Sequence, residues 1–409
     1  MAPYTQLKKY FGFFLVISLL GGGYLYNIKF IQLGIPLLGQ NILKLSKNEL
    51  GIVMSSMAIL TSIVSLLSGK IVDNHLSSLK IKVDIVIMIG LFQIVITFGS
   101  KYILSRVAIF FWIIASSFAT GVGITITFPL FYELIPTGSR GIISGITTGL
   151  VYLIANISPY SRRFVDLRKE SLHILVPGTL FLSFLKIVKL LPKLLPKPAN
   201  EDATQGRYIS KDDTNPKTIR SIMIIMGMIF FIDSFSFLRI LEEESLIKQT
   251  WNSNLVDRTI LGTVHFIVAL FAGYLYQRFN YTIPLYSTLF MFLISTFLFS
   301  QYTEALSHSL VMLMSCSYCA TVSNYTVLNF AIWSDFSNSK NIAWNSGRCI
   351  AIAGWLSSFI STSLEFNISG KISFKTHFFV SLVITLVAIF LLLLFQIKGL
   401  CAYQTKKNK

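Results

Sequence analysis

Apolar residues in this chain come in long runs separated by short polar turns, and a run of about 20 residues crosses a bilayer of about 30 Å as an α-helix. Twelve such runs are expected, near positions 10–38, 50–69, 83–104, 106–132, 141–157, 172–191, 221–241, 255–276, 283–302, 310–333, 346–364 and 376–397. The first is expected to be broken by Gly21-Gly22-Gly23. Ser46-Lys47-Asn48-Glu49 reads as a capping box that starts the second, because the serine and the glutamate can each satisfy a free backbone N–H of the other. Residues 156–171 and 242–254 are too polar to span and read as outside loops. The expected fold is therefore all-α, an integral membrane protein of twelve transmembrane helices.

Composition agrees. Hydrophobic residues make up 53% of 409 and charged ones 13%, with a mean hydropathy of +0.66, whereas a soluble surface needs far more charge. The net charge of +17 fits Lys and Arg retained on cytoplasmic loops and drawn to anionic lipid. Nothing resembles a nucleic-acid-binding module, so none is expected as a partner. Residues 192–220 are rich in Pro, Lys, Asp and Asn without apolar period and read as a flexible cytoplasmic linker. They divide the chain into a six-helix half over 1–191 and another over 221–398, with a basic tail over 399–409. An even number of spans puts both termini on the linker's side.

Two stretches between the runs carry more than topology. The first is Gly69-Lys-Ile-Val-Asp73, followed by Lys80 and Lys82; the acid sits one helical turn past a small residue, on the same face. The second is Glu133-Leu-Ile-Pro136-Thr-Gly-Ser-Arg140-Gly141. Both resemble loops of major facilitator superfamily transporters, the first that between helices two and three, the second that between helices four and five. The halves also align internally: half a chain onward Gly273 answers to Gly69, Asp335 to Glu133, and Gln277 stands where Asp73 does. The resemblance implies two six-helix pseudo-repeats and a cytoplasmic gate built from Gly69, Asp73, Lys80, Lys82, Glu133, Pro136, Arg140 and Gly273. The alternative is that the lysines only hold the loop inside and Asp73 only caps a helix. Gly141, Gly145 and Gly149, spaced by four, form a helix-packing face; the family fold makes it a rocking seam, and ordinary close packing is the alternative.

An ionisable group inside a membrane is costly and so a functional candidate. Asp233 leads: at about 1.5 Å per residue it lies roughly 20 Å along its helix from Arg220. It is read as a site for a proton or cation, or as the anchor of a substrate amine. The alternative is a structural ion pair with Lys29 across the outer mouth, or with Arg239 on its own helix. Histidine's ordinary pKa lies near physiological pH, so His265 could carry a proton, but as a lone helical histidine it reads as a packing residue. Asn27, Gln32, Asn324, Tyr325 and Asn329 suit hydrogen bonds to a polar substrate or between helices. Cys316 and Cys319 form a C-x-x-C inside an apolar run, where packing outweighs metal or redox chemistry. No metal or cofactor is expected.

Absences narrow the class. There is no phosphate-binding G-x-x-x-x-G-K-[ST], no H-E-x-x-H and no nucleophile elbow, so neither ATP-driven transport nor an enzyme is expected. The marks of drug/proton antiporters, of proton-coupled members and of sugar porters are missing too. The resemblance thus implies a secondary transporter of a small solute working by alternating access, with or without a coupling proton or ion, and as a monomer. A transport-inactive membrane receptor or scaffold of the same fold is the alternative. The plasma membrane is the expected location, or the endoplasmic reticulum in a eukaryote, where Lys406-Lys407-Asn408-Lys409 would read as a retrieval signal. Asn367-Ile-Ser369 fits a glycosylation acceptor on the outside.

Overall fold

The structure is a computed structural model and describes residues 3–76, 78–158, 163–195, 216–279, 281–368 and 371–407. Twelve long helices run through the described residues. The six of the first half are α1 (Tyr10–Ile42), α2 (Lys47–His75), α3 (Leu79–Gly99), α4 (Arg106–Leu134), α5 (Arg140–Ile157) and α6 (Phe164–Ile187). Those of the second are α7 (Pro216–Glu242), α8 (Leu255–Phe279), α9 (Thr282–Ser300), α10 (His308–Asp335), α11 (Ile342–Ile368) and α12 (Phe374–Lys407). Eleven are apolar enough to span by composition. The exception, α10, is 28 residues long and carries its polar residues inward, buried without a break from Thr321 to Ser337.

Local chemistry explains the ends. Ser46 and Glu49 form the expected capping box, and Ser105 caps α4 through the N–H of Ala108. Four expectations need correction. The glycine triplet does not break α1; the helix passes through it and departs from α geometry further on, at the wider π turns Asn27–Gln32 and Leu38–Ile42. α6 begins at Phe164, so much of the polar stretch expected to be loop is helical, its charge tolerated because Glu170 meets Lys29. A short helix, Glu244–Gln249, interrupts the loop after α7. The linker is shorter than its composition suggests, since Leu191–Leu194 is a helical turn and α7 already starts at Pro216. Residues 196–215, most of that linker, lie outside the described residues, as do Ser369 and Asn408-Lys409.

The halves meet along two seams related by the internal repeat. In one, α2 packs on α11; in the other, α8 packs on α5. A side chain at Gly69 would sit 2.7 Å from the Ala343 carbonyl, and one at Gly347 would sit 2.8 Å from that of Ser65. Across the second seam a side chain at Gly145 would sit 2.6 Å from the Ala269 carbonyl, while Gly141 and Gly273 touch backbone to backbone. Contacts this close exist only where there is no Cβ. A further contact between the halves, α4 and α5 against α10, is tied at the end that carries the termini.

Candidate functional site

The acceptors beside Gly69 and Gly273 act alike. Asp73 takes the backbone N–H groups of Ala343 and Trp344 at 3.0 and 2.6 Å, at the start of α11. Gln277 takes the N–H of Gly141 at 3.2 Å, at the start of α5. Each half thus holds the free N-terminal donors of a helix in the other, where partial positive charge gathers. The second copy keeps this bond after losing its acid, because an amide oxygen still accepts.

The remaining gate candidates divide into two ion pairs. Lys82 pairs with Glu133 inside the first half, joining α3 to α4. Arg140 reaches across the halves to Asp335 at 2.5 Å, with both side chains fully buried. It also donates to the Ser334 carbonyl at 3.2 Å, and Tyr276 donates to the other Asp335 oxygen at 2.8 Å. Lys80 is exposed and joins none of the ion pairs among the described residues. Pro136 starts the tight turn Thr137–Ser139 between α4 and α5. These contacts seal one end of the space between the halves.

Above the seal lies a cavity of about 400 Å³, lined by residues of α1, α3 to α8, α10 and α11 and reaching toward the opposite end at Gln32, Ser158 and Trp251. Its volume is that of a small-ligand site. Asp233 projects into it from α7, held by Tyr318 Oη at 2.6 Å and Tyr325 Oη at 2.5 Å. The two tyrosines stand seven residues apart on α10, hence on one face. The two tyrosine rings pack against further aromatics: Phe230 lies edge-on to Tyr325 at 5.3 Å, and Trp251 edge-on to Tyr318 at 6.5 Å. Behind them Tyr24 meets Tyr152 at 2.8 Å, and Tyr152 stacks on His265 at 4.3 Å.

Neither ion pair foreseen for Asp233 forms. Lys29 turns instead to Glu170 on α6 at 3.1 Å, at the π turn that widens α1. Arg239 pairs with Glu242, one turn along α7, at 3.0 Å. His265 is buried and bonded to Ser323 at 2.7 Å, which fits a packing role at the cavity wall. Asn27, Gln32 and Asn329 line the cavity, where Asn27 Oδ1 has no hydrogen-bond partner and Asn329 accepts from Trp333 at 2.9 Å. Asn324 lies outside the lining and donates to Ser287. Cys319 is buried and Cys316 half-buried, both as free thiols. Tyr318 was not singled out in the sequence, although its spacing from Tyr325 was a usable signal. Glu170, Tyr24 and Tyr152 carried none.

Twelve long helices, eleven of them apolar enough to span, two equivalent seams and a central cavity define a multi-pass integral membrane protein built from two six-helix repeats. Its fold is that of the major facilitator superfamily. The crystal structure of the human organic anion transporter MFSD10 (TETRAN) matches with a TM-score of 0.65 at 11% identity, over 96% of this chain and 100% of that one. The superfamily's proton:xylose symporter XylE, bound to 6-bromo-6-deoxy-D-glucose, matches with a TM-score of 0.66 at 15% identity, over 92% and 94%. No family model matches the sequence, and no curated protein does.

Proposed function

We propose that the chain is a secondary transporter that moves a small solute across a membrane by alternating access, leaving it chemically unchanged. The observation that carries this reading is Asp233, a carboxylate facing a cavity between two halves that the buried Arg140–Asp335 bridge ties together at one end. The halves, residues 1–191 and 221–398, rock about the α2–α11 and α5–α8 seams, where glycines let backbones touch. Residues 192–220 tether them, and with both termini and the 399–409 tail lie in the cytoplasm, as the positive-inside rule favours. On that orientation the sealed end is cytoplasmic and the cavity faces out. The gate is then the pair of helix caps with the Arg140–Asp335 bridge, which must break for the cavity to open inward. Asp233 binds the solute, or the proton or cation that drives it. Uptake by the purified protein in proteoliposomes tests the proposal. Accumulation that disappears in Asp233→Asn supports it; accumulation untouched by that change removes Asp233 from the mechanism. Saturable binding without accumulation would point to the receptor reading.

A further inference from the structure

The cavity extends beyond the carboxylate along an arm that Asp233 does not explain. Its lining continues around α1, past Gly22 and Gly23, to Gly90 and Gln93 on α3 and Gly178 and Phe181 on α6. A side chain at Gly22, Gly23 or Gly178 would meet no atom within 4 Å, so these glycines border open space rather than a tight contact. Phe181 and Phe14, also in the lining, are 49% and 54% exposed on the apolar flank of the protein. The residues named here carry no charge, Gln93 alone among them is polar, and the arm reaches the bilayer side.

Charge in the cavity is one-sided. Lys29 and Asp233 both face it, but the Lys29 ammonium is already engaged by Glu170. Asp233 meets only phenol hydroxyls, and no cation pairs with it among the described residues. Asn27 Oδ1, buried and without a hydrogen-bond partner, is also an acceptor. A carboxylate bonded to Tyr318 and Tyr325, whose rings pack against Trp251 and Phe230, offers a cation charge beside aromatic surface, which together bind desolvated organic cations.

We propose that the site takes an amphipathic organic cation, its positive head at Asp233 and its apolar body in the arm between α1, α3 and α6. This rests on Asp233 being the binding group of the cavity, as in the reading above, but not on translocation.

The test is binding of labelled tetraphenylphosphonium to the full chain in phosphatidylcholine nanodiscs, with empty nanodiscs subtracted. Tetraphenylborate, of the same shape and opposite charge, is the control. A saturable phosphonium component with none for the borate is expected, and Asp233→Asn should weaken it by roughly thirtyfold or more. Gly23→Leu, which fills open space, should shift preference from tetraphenylphosphonium toward tetraethylammonium by roughly tenfold. Equal binding of both ions, full binding by Asp233→Asn, or no saturable component would overturn the proposal. Phosphonium binding without accumulation of any solute in proteoliposomes would instead overturn transport alone. Accumulation of another solute without phosphonium binding would overturn this proposal alone.

Discussion

Arg140 Nη1 and Asp335 Oδ1 lie 2.5 Å apart across the two halves, and neither side chain is exposed at all. Removing one partner strands the other as a buried charge, which costs about 3–5 kcal/mol, whereas replacing both by apolar residues of like volume is far milder. Arg140→Met and Asp335→Leu should each lower the thermal unfolding temperature sharply in detergent, and the double variant should recover most of the loss. Single variants as stable as the parent would show that water reaches the pair.

The glycine seams predict a contrast between positions of the same residue type. Gly145→Ala places a methyl 2.6 Å from the Ala269 carbonyl and must push α5 from α8; overpacking of this kind costs about 1–3 kcal/mol. Gly178→Ala meets nothing within 4 Å, and gains about 0.5–1 kcal/mol from the better helix former. Thermal unfolding of the two variants should therefore shift in opposite directions. A stabilised Gly145→Ala would mean that the seam is looser than its backbone contacts indicate.

Amide hydrogen exchange can read the two helix caps separately. Asp73 accepts two N–H groups of α11 as a charged group and Gln277 accepts one of α5 as a neutral one, so loss of the acid should matter more. Asp73→Ala should lower protection at Ala343 and Trp344 by about 1–2 kcal/mol, and Gln277→Ala that at Gly141 by about 0.5–1 kcal/mol. Equal losses at the two ends would argue that charge adds nothing to the cap.

The spans, the repeat and the seam glycines were legible in the sequence because each has a period: runs of bilayer length, a half-chain offset, a spacing of four. Asp73 and Gln277 were placed as counterparts by that offset, although the loss of charge hid their common task. What has no period stayed hidden. Arg140 and Asp335 are brought together by two helices that the sequence places far apart, and nothing local to either announces the other. The start of α6 was misjudged because residues 163–171 look like a loop until Glu170 is seen to satisfy Lys29. Asp233 stands out as a charge in an apolar run, yet its partners are phenols of α10, which carry no charge to mark them.

Lys29 is the partner for Asp233 that opposite charge in the sequence suggests, and a double-mutant cycle separates the two arrangements. The Lys29 side chain is 4% exposed and that of Glu170 25%, at 3.1 Å, so loss of the acid leaves a buried ammonium and loss of the lysine leaves a half-buried carboxylate. The Lys29→Met/Glu170→Gln cycle should therefore show a coupling of about 1–3 kcal/mol in thermal or denaturant unfolding, with the double variant more stable than the sum of the singles implies. The Lys29→Met/Asp233→Asn cycle should be additive to within about 0.5 kcal/mol, because Asp233 draws its hydrogen bonds from Tyr318 and Tyr325 instead. Strong coupling in the second cycle and none in the first would place the lysine on Asp233. It would also remove the uncompensated negative charge on which recognition of a cation depends.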